Sequence, residues 1–258
     1  MKSFITKALL VLFIITVSSS VLAQKKKSGI ISYEMLVSYN FEGVYDHPKW
    51  DMLINKLPKK AISYFDLTFN EKKALYAENI SKREPISGYL QVAIEKVGEK
   101  KGPKETLRKV FTDLVNNKKL EEVEFMTREF LIESKLEVLP WKITTDKIKV
   151  LNYVCTGAEL KDGDDTIVAY FTSEIPVSIG PDKYNSLPGA VLAVEKNGEL
   201  MILATSVEIK DVEVEELKKL KRRKFLSSKE FDIIKKDKIE EFNRTLLSRN
   251  NKNKKGKQ

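Results

Sequence analysis

A chain of 258 residues suffices for one large domain or two small ones, and it can bury a substantial core without covalent staples. A single cysteine, Cys155, and a single histidine, His47, exclude an intramolecular disulfide and any metal centre built from several Cys or His ligands. The formal charge of +9 would suit an anionic partner, but much of the excess sits in Lys25-Lys26-Lys27 and in the terminal run Ser248 to Gln258.

The N-terminus reads as an export signal. Lys2 and Lys7 precede the apolar run Ala8 to Val17, which is too short to span a bilayer comfortably. Ser18, Ser19 and Ser20 lead to Val21-Leu22-Ala23, a small-residue cleavage pattern that ends before Gln24. No cysteine follows for lipid attachment, and no other segment is apolar enough to cross a membrane. Cleavage leaves 44 basic against 37 acidic residues, a charge of +7. The expected compartment is the periplasm or the outer membrane, or secretion, where nucleic acid is not a partner.

Gly29 to Phe41 alternates and is rich in β-branched and aromatic residues, which predicts a strand. Trp50, Leu53, Ile54 and Leu57 recur at helical spacing after Pro48, so Tyr45 to Leu57 reads as a short helix. Ala61 to Phe69 and Lys73 to Ala77 read as paired strands around Asn70-Glu71-Lys72. Glu78 to Lys104 is dominated by Lys, Glu, Gly and Pro and reads as a surface excursion, with a short element at Tyr89 to Val97. Leu107 to Val115, Lys119 to Met126 and Arg128 to Ser134 form an antiparallel meander turning at Asn116-Asn117.

Trp141-Lys142-Ile143 opens the next block, and Lys147 to Leu160 reads as one long strand carrying Cys155. Asp162-Gly163 and Asn197-Gly198 are strong hairpin turns. They join Thr166 to Thr172, Gly189 to Glu195 and Leu200 to Lys210, all read as strands. Ser227 and Glu230 form a capping box. The stripe Phe231, Ile234, Ile239, Phe242 and Leu246 then predicts a C-terminal helix laid on the sheet. The tail from Ser248 has no apolar residue and is expected to be disordered. A solvated tail is the default reading, with anionic lipid headgroups as a minor alternative.

Between the strands of the last block lie three turns rich in Gly and Pro. Ile175-Pro176 suits a strand end, because proline cannot donate to a ladder. Gly180-Pro181-Asp182 is a turn that lacks the glycine count and the Lys-Ser/Thr of a phosphate loop. In Leu187-Pro188-Gly189, Pro188 presets φ and Gly189 can take a positive φ, which suits a type II turn. Together with Val168-Ala169-Tyr170-Phe171, Tyr184 and Ser186 to Val191, this segment resembles the signature of the GLPGLI family, small exported proteins found mainly in Bacteroidota. The resemblance extends more loosely to Trp141-Lys142, to Tyr153-Val154-Cys155 and to Phe65–Phe69, Asn70 and Tyr76. Ser186 stands where the family name has its first Gly, Ala190 where it has Leu, and Val191 where it has Ile. The resemblance implies a compartment and a fold rather than a reaction, with proximity to TonB-dependent outer-membrane receptors.

No catalytic constellation emerges. Cys155 lies in an apolar strand and reads as a small buried hydrophobe. His47 lies in another element, and a Cys-His pair would demand a coincidence of folding. Asp162, Asp164 and Asp165 could offer oxygens to calcium, but the loop lacks the downstream bidentate Glu, so a solvated turn is the reading. Glu133, Glu137 and Asp146 have no distinctive spacing. Trp50, Trp141, Tyr170 and Phe171 are the large aromatics that would line either a core, the default, or an apolar groove.

The expected architecture is mainly β, or α+β: a single large curved antiparallel sheet with a C-terminal helix packed on one face. Residues 1–23 are the signal peptide, 24–247 one domain and 248–258 the basic tail. The expected function is that of a non-catalytic envelope protein binding a protein partner or ligand, near TonB-dependent transport by analogy. The alternative is a periplasmic carrier of lipid or another apolar ligand in a curved-sheet cavity. No cofactor is expected.

Overall fold

The computed structural model describes residues 27–39, 59–83, 105–217 and 224–255, with residues 85, 88, 91, 92, 94, 102 and 103. The predicted helix at Tyr45 to Leu57, with Trp50, lies outside the described residues, as do the export signal and the cleavage site. Of the predicted element at Tyr89 to Val97, Gln91, Val92 and Ile94 are described, and they are helical.

Twelve strands form one open sheet. They are β1 (Gly29–Ser38), β2 (Lys60–Phe69), β3 (Lys73–Glu78), β4 (Glu105–Asp113), β5 (Lys118–Phe125), β6 (Arg128–Lys135), β7 (Lys142–Val150), β8 (Tyr153–Asp162), β9 (Asp165–Thr172), β10 (Ala190–Lys196), β11 (Leu200–Ile209) and β12 (Phe225–Ser227). The order is β12-β6-β5-β4-β3-β2-β1-β11-β10-β9-β8-β7, and β12 and β7 remain as edges. A helix, α1 (Ser228–Lys255), ends the described chain.

The alternating pattern sets the faces of the sheet. Phe65, Leu67 and Phe69 on β2 and Ala74 and Tyr76 on β3 are buried, while their neighbours in sequence are not. The tight reversals are those the sequence announces. Asn70 accepts bonds from the Lys72 and Lys73 amides, and Asp113 Oδ1 accepts from Val115 and Asn116. Burial would push the Asp113 carboxyl up, but the bonds from Asn116 and Val115 outweigh it and hold it below the usual range.

The curvature expected for the sheet has a geometric measure. A single cavity of about 620 Å³ touches β1 to β6 and β11, seven neighbours in the sheet. Laid flat, seven strands would span about 29 Å, far wider than such a cavity, so the sheet wraps around it. Register shifts at Ser32/Tyr33, Leu107/Lys109 and Val191/Ala193 supply the bending that bulges produce.

Three expectations need correction. The sheet is mixed, because β12 pairs parallel with β6, Phe225 opposite Leu131. Three residues give too short a run to be read as a strand, and the chain between β6 and β12, which contains β7 to β11, gives the length that a parallel return requires. The long strand at Lys147 to Leu160 is a hairpin, β7 and β8, reversing at Leu151-Asn152 with Leu151 at φ +52. A leucine at positive φ carries no turn signal in sequence. The tail expected to be disordered from Ser248 is helical through Lys255. Lys and Arg are good helix formers, and their charge suits a helix C-terminus.

The C-terminal helix packs on one face of the sheet, as expected. The helix covers only its β5–β6 end, where Phe231 joins Val123, Phe125 and Ile132. The larger core is filled by the segment between β9 and β10, whose Ile175, Val177, Ile179, Tyr184 and Leu187 are buried with residues of β1 to β4 and β8 to β11. Each such buried aliphatic side chain contributes roughly 1.5–3 kcal/mol.

Candidate functional site

The segment 173–189 is not a strand, yet it buries every second residue from Ile175 to Ile179. The Val177 amide donates to the Ile175 carbonyl at 2.8 Å, and the Ile179 amide to the Val177 carbonyl at 2.9 Å. Consecutive bonds of this i→i+2 kind keep the chain extended and alternate its side chains. Pro176, the centre of the first of these turns, is exposed, and its missing N–H leaves no donor unpaired there. The segment is then stitched to β10, as Ala190 donates to Ile175 and Val191 to Ile179.

Gly180 and Gly189 are required by close approach. A Cβ on Gly180 would meet the Tyr184 carbonyl oxygen at 1.8 Å, and one on Gly189 the Thr172 carbonyl oxygen at 2.1 Å. The Leu187-Pro188-Gly189 turn is closed by the Gly189 amide donating to Leu187 at 2.8 Å, a γ-type turn across Pro188 rather than the expected type II turn. The left-handed residue is Ser186, three residues before Gly189, with φ +74. Its hydroxyl donates to Asn185 Oδ1 at 2.8 Å and lies 3.2 Å from the Glu137 carbonyl oxygen.

The second turn aims a carboxyl inward. Pro181 to Tyr184 is closed by the Tyr184 amide donating to the Pro181 carbonyl at 3.0 Å, and Asp182 takes φ +55. Asp182 lines the 620 Å³ cavity. Withdrawal from water pushes its carboxyl up to about 6, against the opposing pull of Lys183. Beside it in the lining is Tyr76, 2% exposed, whose ring stacks on Phe65 at 4.7 Å. The Tyr76 hydroxyl is buried and has no hydrogen-bond partner. Burial, then the nearby Asp182 charge, raises this phenol well above its ordinary range.

The rest of the lining divides by chemistry. Met35, Phe65, Leu107, Val123, Ile132, Leu200 and Phe231 supply apolar wall. Glu78, Glu105, Arg108, Glu121, Asp232 and Lys235 bring charge. Arg108 is the extra residue of the β4–β5 bulge, which turns its guanidinium toward both Glu78, at 2.9 Å, and Glu124, at 2.6 Å. Arg83 adds a second fork on Glu78 through bonds of 2.8 and 2.6 Å. Burial would raise the Glu78 carboxyl, but the Arg83 bonds and the Arg108 charge together hold it below its usual value.

The aromatic groove expected of Trp50, Trp141, Tyr170 and Phe171 is not what lines this cavity. Trp50 lies outside the described residues. Trp141 is half-buried; its indole N–H donates to the Asn185 carbonyl at 2.7 Å and its ring meets Tyr184 edge-on at 6.5 Å, which clamps the inner segment. Phe171 is core, and Tyr170, one residue earlier on β9, is half-buried and packs against the same cluster. Of the motif residues, Ile175, Gly180, Pro181, Tyr184, Leu187 and Gly189 are buried, Ser186 is half-buried, and Pro176 and Pro188 are exposed. Sequence reasoning missed Asp182 and Tyr76 as a pair. Their place in a turn and a strand gave no sign that the sheet's curvature joins them.

Among the described residues, no group of three or more His, Cys, Asp or Glu is arranged to hold a metal ion. Asp162 and Asp165 are engaged by Lys183 and Lys196. Cys155 is buried, and burial pushes its thiol up to about 11. No helix among the described residues is long and apolar enough to cross a membrane.

Residues 158–193, from β8 through the inner segment into β10, match a family model described as "Protein of unknown function (Porph_ging)". No curated protein matches the chain. A solved structure, "Structure of PNGF-II in P21 space group", is similar with a TM-score of 0.50 and 17% identity over 84% of this chain and 34% of that one. "Structure of PNGF-II in C2 space group" gives 0.45 and 18% over 77% and 31%. This chain therefore spans about a third of the length of the PNGF-II chains it matches. At such identity the first likeness shows one thing, a shared β-rich fold.

Proposed function

We propose that this chain is an exported, non-catalytic binding protein of the cell envelope that carries a small ligand with an apolar body in the cavity between its curved sheet and C-terminal helix. The carrying observation is the cavity of about 620 Å³, a size usual for small-molecule sites, with apolar side chains from β1, β2, β4, β5 and α1 in its wall. The export reading rests on Lys2, Lys7, the Ala8–Val17 run and Val21-Leu22-Ala23. The GLPGLI reading rests on the Ser186 to Val191 turn and its flanks, and the family match over residues 158–193 supports it in part.

The test is saturable binding of a neutral apolar fluorophore, N-phenyl-1-naphthylamine, to the purified protein. One site is expected, and Met35→Trp or Leu107→Trp, which fill the cavity from half-buried positions, should weaken it about ten-fold while thermal melting stays cooperative. Binding that never saturates, or that ignores both variants, overturns the reading. Fractionation of the host tests the compartment, since exclusive recovery from the cytoplasm contradicts export.

A protein partner near a TonB-dependent receptor is the second reading. A groove of about 590 Å³ between α1 and β6, walled by Phe130, Ile234, Phe242 and Leu246, favours it. Crosslinks from envelope preparations should then map to this groove.

A further inference from the structure

Two polar groups at the cavity are incompletely matched by the protein itself. The Tyr76 hydroxyl is one, unpartnered but buried behind the wall with no accessible surface. The Asp182 carboxyl, in the lining, is the other. It accepts a hydrogen bond from the Lys183 amide, and no salt bridge reaches it among the described residues. The other charges of the lining are mutually satisfied. Arg108 is forked onto Glu78 and Glu124, Lys235 lies between Glu105 and Asp232, Glu121 is held by Lys119, and the Lys183 ammonium turns away to Asp162 at 3.2 Å.

This distribution selects among head groups. A carboxylate or phosphate ligand would need a free cation in the wall, and Arg108, Lys183 and Lys235 are all occupied by acids. An ammonium finds in the lining a carboxylate lacking a counter-ion. A buried charge gains most from a partner that supplies both the opposite charge and hydrogen bonds. The turn Pro181–Tyr184 fixes Asp182 in place, so little ordering remains to oppose binding.

We propose that the cavity takes an amphipathic amine, whose ammonium docks on the Asp182 carboxylate while its hydrocarbon lies along the wall formed by Met35, Leu107, Val123 and Leu200. This rests on the cavity being a ligand site at all, and names the ligand's class. The chain's net charge of +9 favours anions in general, so a preference for a cation must come from the local site.

Calorimetric titration of the full chain with decylamine, decan-1-ol and decanoate separates the two levels. The amine is expected to bind about ten-fold or more tightly than the alcohol or the carboxylate. Asp182→Asn keeps a residue tolerant of φ +55 and should bring amine and alcohol to equal affinity, leaving the alcohol within about two-fold of the wild type. Tyr76→Phe removes only an oxygen buried behind the wall without a partner, so it is the control that should fold at least as well and leave the amine within about two-fold of the wild type. Equal binding of amine and alcohol by the wild type, or an amine preference that survives Asp182→Asn, overturns the head-group assignment and leaves the ligand cavity standing. If none of the three ligands binds, the cavity reading falls, and this inference with it.

Discussion

The Tyr33 hydroxyl on β1 donates a 2.6 Å hydrogen bond to the carbonyl oxygen of Val191, 158 residues further along the chain. Val191 N–H in turn donates to Ile179. One phenol thus ties β1 to the strand from which the inner segment hangs. Tyr33→Phe leaves a buried carbonyl unpaired and should cost about 1–2 kcal/mol in urea unfolding. A loss within 0.3 kcal/mol, on the order of measurement error, would show the bond to be replaceable by water.

Ser186 holds φ +74, in the left-handed region that favours glycine. Ser186→Gly relieves the left-handed strain but gives up the hydroxyl bonds and adds chain entropy, so stability should stay within about 0.5 kcal/mol. Ser186→Val keeps the strain, adds a branched side chain and loses the same bonds. It should cost about 2–3 kcal/mol. Thermal melts of the pair discriminate, and equal effects would contradict the assigned conformation.

Gly180→Ala and Gly189→Ala each drive a methyl into a backbone carbonyl, at 1.8 and 2.1 Å, where no rotamer offers relief. A loss of about 3 kcal/mol or more is expected from each. Gly198→Ala is the control, because its φ of +69 is strained but its Cβ would meet open space. It should cost about 1 kcal/mol.

Asp182 gives stability an inverted pH slope. Its folded carboxyl titrates near about 6, against about 3.9 in an unfolded chain. Between these values the folded state holds a proton that the unfolded state has released, so stability falls as pH rises from about 4 to 6 and stays reduced above. Glu121, Lys119, Lys183, Tyr76 and Tyr184 are the titratable groups that interact with it. Asp182→Asn should raise unfolding free energy at pH 8 by on the order of 2 kcal/mol and leave it unchanged near pH 4. The difference between wild type and variant is the readout, since the depressed carboxyls of Glu78 and Asp113 slope the other way in acid.

Cys155 is fully buried, with its thiol pushed up to about 11 by burial. In native protein at pH 8, iodoacetamide should label it on the order of a hundredfold more slowly than in urea. Comparable rates would place the thiol at the surface.

Much of the fold is legible in the sequence where a reversal needs a special residue. Asp162-Gly163 and Asn197-Gly198 mark two hairpins, and Ser227 and Glu230 form the capping box, the Ser227 amide donating to Glu230 at 2.7 Å. The β7–β8 reversal escaped because Leu151 and Asn152 carry it without glycine. The site escaped for a different reason. Asp182 and Tyr76 are 106 residues apart in number, and their shared lining depends on curvature set by bulges, which leave no periodicity to read. The inner segment's alternation of Ile175, Val177 and Ile179 was visible, but the same period serves a strand and a chain of γ-turns.

Phe231 belongs to two structures at once. Its ring forms part of the cavity wall, and it is also the side chain of α1 that packs on Phe125 and Phe130. Occupancy of the interior and anchorage of the C-terminus therefore share one hinge pin. If the proposed ligand occupies the cavity it meets this ring, so its binding should change how firmly α1 is tethered, which limited proteolysis of the helix would read from outside.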